Sequence, residues 1–224
     1  SHGATVPSLR HAKGLIFIDK AMRKPFESAP LPPYVILNNP FDMTSVREYS
    51  TYRPAVPDID VGTHTIFSMI GVVSEQKGSD FVIKSFLQMD APDARLLIVG
   101  GTEAAHIRRC KQLARGDRRI VFWGEEQEIN KVYAISDYII RGEAFPCIGR
   151  TVYEGLYAGC RVIVPGDPIA APPMFEYETY RDDIFLYRPR NRQDLVALLR
   201  RRIGCKVGKR ILRSNTAEYV RAFH

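Results

Sequence analysis

The chain has 224 residues, 45% of them hydrophobic and 25% charged, which is enough to bury a sizeable core in one large domain and too apolar for a disordered segment. A net charge of +7 suits acidic partners: nucleotide phosphates, nucleic acid or an anionic membrane face. No apolar run reaches the length of a membrane-crossing helix, and no signal peptide stands at the start.

The opening "SHG" lacks methionine and is expected to be a tag remnant ahead of an excised domain. "GLIFID" (14–19) and "YVILNN" (34–39) predict short buried strands, with proline-punctuated connectors "SAPLPP" and "YRPAVPDIDVG" between and after them. From Thr65 a regular alternation sets in. "TIFSMIGVV" (65–73) predicts a strand, and "GSDFVIKSFLQM" (78–89) a helix capped by Ser79 or Asp80. "ARLLIVGG" (94–101) is a strand, "EAAHIRRCKQLA" (103–114) a helix, "RIVFWG" (119–124) a strand and "EQEINKVYAI" (126–135) a helix. "DYIIRG" (137–142) follows as a strand, then a helix from Thr151, the strand "RVIVPG" (161–166), the strand "DIFLY" (183–187) and the helix "RQDLVALLRRR" (192–202). Apolar strands alternating with helices mean parallel strands buried on both faces and joined by crossovers, so the fold class is α/β, a doubly wound parallel sheet of Rossmann-like type.

Four cysteines lie far apart with no C-x-x-C pair, and five histidines are scattered. Neither pattern makes a metal or disulfide framework, so no metal and a reducing, cytoplasmic setting are expected. Much of the positive charge falls in residues 188–213, which reads as a solvated basic face.

In a doubly wound sheet, ligands bind beyond the carboxyl ends of the strands. Those ends offer Gly71 with Lys77 and Gly78, then Gly100 and Gly101, then Gly124 and Glu125, then Gly142 and Glu143. The helix after Gly149 carries Arg150 and Thr151 in its first turn, a seat for a diphosphate on free N–H groups. Lys77 offers a second countercharge. Glu154, one turn further in, reads either as a residue favoured by the helix dipole or as the acceptor for a ribose diol. Trp123, beside Gly124, is a candidate to flank a base. Neither G-x-G-x-x-G nor G-x-x-x-x-G-K-[ST] occurs.

Together these segments resemble the C-terminal, donor-binding half of GT-B glycosyltransferases, specifically the retaining family 4 (group 1), over residues 34–203. "VILNNPFD" (35–42) is similar to the family's hinge, and "IGVVSEQKGSDFVIKSF" to its first donor-domain strand, loop and helix. "LLIVGG" and "IVFWG" match the next strand ends, and "SDYIIRGEAFPCIGRTVYEGLYAGCRVIVPG" the signature segment.

The resemblance implies a nucleotide-diphospho-sugar donor, no cofactor and no metal. Lys77 would contact the diphosphate, Gly149 and the amides after it would cradle it, Glu154 would bind the ribose, and Gly124 and Glu125 would lie beside the base. It also implies an acceptor glycan or lipid held by an absent N-terminal half, so that this chain alone transfers no sugar. Domains follow as 1–60 (hinge-proximal remnant and linker), 61–204 (nucleotide-sugar-binding domain) and 205–224 (a C-terminal basic helix).

Three departures stand out. Val72 replaces the arginine usual after Gly71, which removes one phosphate countercharge unless Arg150 or Arg141 substitutes. The E-x7-E carboxylate pair has Pro146 at its first position, leaving Glu143 as nearest candidate, 154 − 143 = 11 positions away. Arg161 stands where proline is usual. Glu154 and Glu143 are therefore the expected catalytic carboxylates. A non-catalytic or partner-dependent nucleotide-sugar-binding module is the alternative. A nucleic-acid partner is disfavoured because no basic–aromatic stacking platform appears, while peripheral membrane association agrees with the charge.

Overall fold

The structure is a computed structural model and describes residue 9, residues 11–17, residue 23 and residues 26–37, 56–101, 103–146, 149–167 and 182–206. Two short parallel strands, β1 (Leu15–Phe17) and β2 (Tyr34–Ile36), pair with each other. The remaining elements are β3 (Thr65–Ile70), α1 (Ser79–Phe86), β4 (Ala94–Val99), α2 (Ala104–Ala114), β5 (Ile120–Gly124), α3 (Asn130–Ile135), β6 (Tyr138–Ile140), α4 (Arg150–Tyr157), β7 (Arg161–Pro165), β8 (Ile184–Tyr187) and α5 (Arg192–Arg200). The hinge turn after Asn38 and the basic C-terminal helix expected from the sequence lie outside the described residues, except that Cys205 and Lys206 are in neither helix nor strand.

Strands β3 to β8 form one six-stranded sheet in the order β5-β4-β3-β6-β7-β8, with every neighbouring pair parallel. The chain winds outward from β3 to one edge, returns to β6 beside β3, and winds to the other edge. The order therefore reverses between β3 and β6, and that switch point is where such sheets open a crevice at their carboxyl ends.

The strands are apolar because both faces are covered. On one face Ile66, Ile70, Leu97, Val99, Ile139 and Val162 pack with Val132 and Tyr133 of α3 and Val152 and Leu156 of α4. On the other, Phe67, Met69, Leu96, Ile98, Ile140 and Ile163 pack with α1, α2 and α5 through Val82, Phe86, Cys110 and Leu195. Adjacent residues of each strand serve opposite layers, as the period of two requires. Phe67 stacks on Tyr138 across the β3–β6 seam, with ring centroids 5.1 Å apart.

Two boundaries differ from the sequence expectation for readable reasons. The helix expected from Glu126 begins at Asn130, because the Glu126 carboxylate accepts bonds from the Glu128 N–H (2.9 Å) and the Trp123 indole (3.3 Å) and holds that stretch as a loop. The cap of α1 is neither Ser79 nor Asp80 but Gly78, at φ 69°, and it makes no side-chain cap bond. The Ser79 hydroxyl instead donates to the Ser74 carbonyl at 3.1 Å. Gly78 is imposed by contact: a Cβ there would lie 1.8 Å from the carbonyl oxygen of Gly142, so the β3 and β6 loops meet backbone to backbone at the switch point.

Candidate functional site

At the switch point, the turn after β3 presents Lys77 and the loop after β6 presents Arg141 and Glu143. The Lys77 ammonium reaches the Glu143 carboxylate at 3.4 Å, bridging the two loops. Arg141 grips the same carboxylate with a two-pronged contact, its Nε at 3.1 Å and its Nη2 on Oε1. Glu143 is 2% exposed, and a carboxylate so deeply buried requires such charged donors.

The third component is the open end of α4. Arg141 Nη1 donates to the Thr151 hydroxyl at 2.9 Å in the first turn of that helix. A Cβ on Gly149, the N-cap residue, would lie 2.5 Å from the same Nη1, so glycine is needed there to admit the guanidinium.

One turn on, Glu154 is buried but doubly bonded. The Tyr133 hydroxyl donates to its Oε2 at 2.5 Å, and Arg150 reaches its Oε1 at 3.0 Å. Burial, followed by the Glu154 charge, pushes the Tyr133 phenol well above its ordinary range, so Tyr133 stays a protonated donor. This answers how a small-residue helix packed on a sheet carries a carboxylate: α3 supplies its hydrogen bond from 21 residues upstream. The exposed Arg150 completes a cluster of three cations and two carboxylates.

The Lys77 turn is itself pinned. Its N–H donates to the Ser74 hydroxyl at 3.3 Å, while the Ser74 carbonyl takes the Ser79 hydroxyl. Ser79 in turn shares a 2.9 Å hydrogen bond with buried His106 of α2.

Gly71, Gly124 and Glu125 occupy the neighbouring strand ends. Gly100 packs on Gly71 so closely that a Cβ would fall 1.9 Å from the Gly71 carbonyl oxygen. Glu125 packs over Gly101, and with Gly124, Val73 and Phe122 they line a cavity of about 170 Å³ between β4 and β5. Trp123 instead lines a larger hollow, about 700 Å³, along the outer flank of β5 with Val56, Lys111 and Arg118. Val72, in place of the arginine expected from the resemblance, is 43% exposed.

The structure thus links Lys77, Glu143, Gly149, Arg150, Thr151 and Glu154 through contacts in one cluster and sets Gly71, Gly124 and Glu125 along the adjoining strand ends. Sequence reasoning missed Tyr133 and His106, which look like core residues by periodicity. It named Arg141 only as a stand-in, although an arginine directly closing the apolar strand "DYII" is an anomaly visible in the sequence. No group of three or more metal-ligating side chains and no helix long and apolar enough to cross a membrane occurs among the described residues.

A family profile described as "Glycosyl transferases group 1" matches residues 64–203. Among solved structures, the chain is similar to Anabaena HepE in complex with UDP-glucose, at 19% identity and TM-score 0.76, covering 98% of this chain and 62% of that one. It is similar to the sucrose-phosphate synthase of Thermosynechococcus elongatus at 18% identity and TM-score 0.76, covering 98% and 56%. A third likeness is to the E. coli trehalose-6-phosphate protein bound with UDP-2-fluoro glucose, at 11% identity and TM-score 0.71, covering 99% and 60%. At these identities the likeness is one of fold, and the chain spans about three fifths of the length of these relatives. None of the curated proteins matches the sequence.

Proposed function

We propose, from the premise that the chain belongs to the glycosyl transferases group 1, that it is the donor-binding part of a retaining glycosyltransferase. Such an enzyme moves a sugar from a nucleotide diphosphate to a glycan, lipid or small-molecule acceptor. The observation that carries this reading is the convergence of Lys77, Arg141 and the N-terminus of α4 at the switch point of the sheet. Cations and free helix N–H groups together suit a diphosphate.

In this reading the diphosphate lies against the Gly149–Thr151 turn between Lys77 and Arg150. Glu154 takes the ribose hydroxyls, and the base lies toward Gly124 and Glu125. Glu154 suits that task because an ionised carboxylate has about four acceptor positions, and Tyr133 and Arg150 take up two. Transfer leaves charge on the departing diphosphate, which fixed cations and a helix dipole stabilise without reorganising. Glu143, clasped by Arg141 and Lys77, is assigned contact with those cations rather than with the sugar. Neighbours of the same fold are described with UDP, UDP-glucose and UDP-2-fluoro glucose, which favours a uridine nucleotide. The burial of Glu143 also favours a second reading, a module that binds nucleotide sugar without transferring it.

Calorimetry with UDP, GDP and ADP tests the site. UDP is expected to bind, with the same affinity in the presence of EDTA. Loss of binding on chelation would overturn the metal-free seat, and failure of all three nucleotides to bind would overturn the donor site.

A further inference from the structure

We propose that Arg141 is a diphosphate-binding residue of this site, and that Glu143 is a resident anion which the diphosphate displaces. The inference rests on the donor-site reading above.

Arg141 is placed where a lone cation is unfavourable. Its side chain is 9% exposed, and its Nη1 lies on Thr151 and against Gly149, at the positive end of α4. Cations are destabilising beside a helix N-terminus, so this arrangement calls for an anion in the same place. Glu143 supplies one, and Lys77 converges on it from the opposite loop.

The grip on Glu143 is also transferable. A guanidinium fork takes a carboxylate or a phosphate in the same two-pronged geometry. Two phosphate oxygens can therefore replace Oε1 and Oε2 with the arginine unmoved, and Lys77 can follow the same exchange. Glu143 can withdraw because residues 144–146, directly after it, are exposed, with Phe145 at 59%. While it remains, Glu143 repels an arriving diphosphate and occupies the donors that would hold it. The donor site is thus built around its own counter-ion, and the affinity observed for a diphosphate is what remains after that exchange.

The test compares the parent, Glu143→Gln, and the double variant Arg141→Met with Glu143→Gln, each titrated with UDP, uridine and inorganic pyrophosphate. Glu143→Gln is expected to bind UDP and pyrophosphate about tenfold tighter than the parent, because a charged competitor is gone. Uridine should bind all three proteins alike. Without ligand Glu143→Gln should melt lower, since it leaves a buried arginine without its carboxylate, and pyrophosphate should raise its melting temperature more than the parent's. The double variant removes both charges and should bind both diphosphates about tenfold more weakly than the parent. Equal or weaker diphosphate binding by folded Glu143→Gln would overturn the exchange. So would parental affinity in the double variant, which decides the matter alone if Glu143→Gln does not fold. If the pyrophosphate ranking holds while uridine fails to bind and UDP gains nothing over pyrophosphate, the exchange stands and the nucleotide-donor reading falls.

Discussion

Gly78→Ala is expected to lower the melting temperature by roughly 5–15 °C, from a stability loss of about 2–5 kcal/mol. Two costs combine. The residue sits at φ 69° and ψ 29°, where a side chain costs about 1–2 kcal/mol. The new Cβ would also lie 1.8 Å from the Gly142 carbonyl oxygen and 2.4 Å from its carbon, and backbone cannot rotate away as a side chain can. The matched control is Gly116→Ala, at φ 74° with no atom within 4 Å of the added Cβ, which pays the conformational cost alone. Thermal unfolding of the two variants should therefore differ by most of the contact cost, and equal melting temperatures would refute close packing of the two loops. A second consequence is functional. Separating the loops moves Lys77 from Glu143 and Arg141, so residual folded protein should lose diphosphate affinity more than nucleoside affinity.

That contact also marks the limit of what the sequence discloses. "TIFSMI", "ARLLIV" and "RVIVP" hold at most two polar residues each and show no alternation of polar with apolar positions, and only a strand covered on both faces needs that pattern, so the parallel sheet follows directly. The ends of β3 to β7 were legible because a glycine lies at or just after each of them. The facing of Gly78 and Gly142 was not, because both are ordinary turn glycines until the sheet order brings β6 beside β3. The same holds for the charges. Lys77 and Glu143 are 66 residues apart, and Tyr133 and Glu154 are 21 apart; no local spacing pairs them. Tyr133 is fully buried in the core, yet its hydroxyl is what satisfies Glu154. Residues whose role depends on one polar atom at the end of an apolar body escape periodicity arguments.

Arg141 shows the opposite failure, a residue whose type was informative and whose neighbours were hidden. An arginine at the end of a fully buried strand must find carboxylate or solvent. Here Glu143, two residues on, folds back to it, while Gly149 leaves room for the guanidinium against α4. Residues 141–143 are thus held by an ion pair as much as by the close packing of Gly142. The same ion pair turns Glu143 toward the cations.

Glu154→Gln is expected to weaken binding of UDP and of uridine alike, by about 1.5–3 kcal/mol, roughly ten- to a hundredfold. The loss falls on the acceptor positions of the carboxylate. Glutamine keeps the length and one oxygen, so the Tyr133 hydroxyl can still donate, and the fold should lose little. The bridge to Arg150 is lost, but that arginine side chain is 60% exposed, and pairs of this kind contribute at most about 1 kcal/mol. What disappears is a charged acceptor for a vicinal diol, replaced in part by an amide that donates. The 2′,3′-dideoxy nucleotide separates this from a general disturbance of the helix: it should bind parent and variant equally, because it has no hydroxyls to lose. Equal losses for the dideoxy and normal nucleotides would instead assign Glu154 to holding α4 on α3. A large fall in melting temperature with unchanged uridine affinity would point the same way and would remove the ribose from this carboxylate.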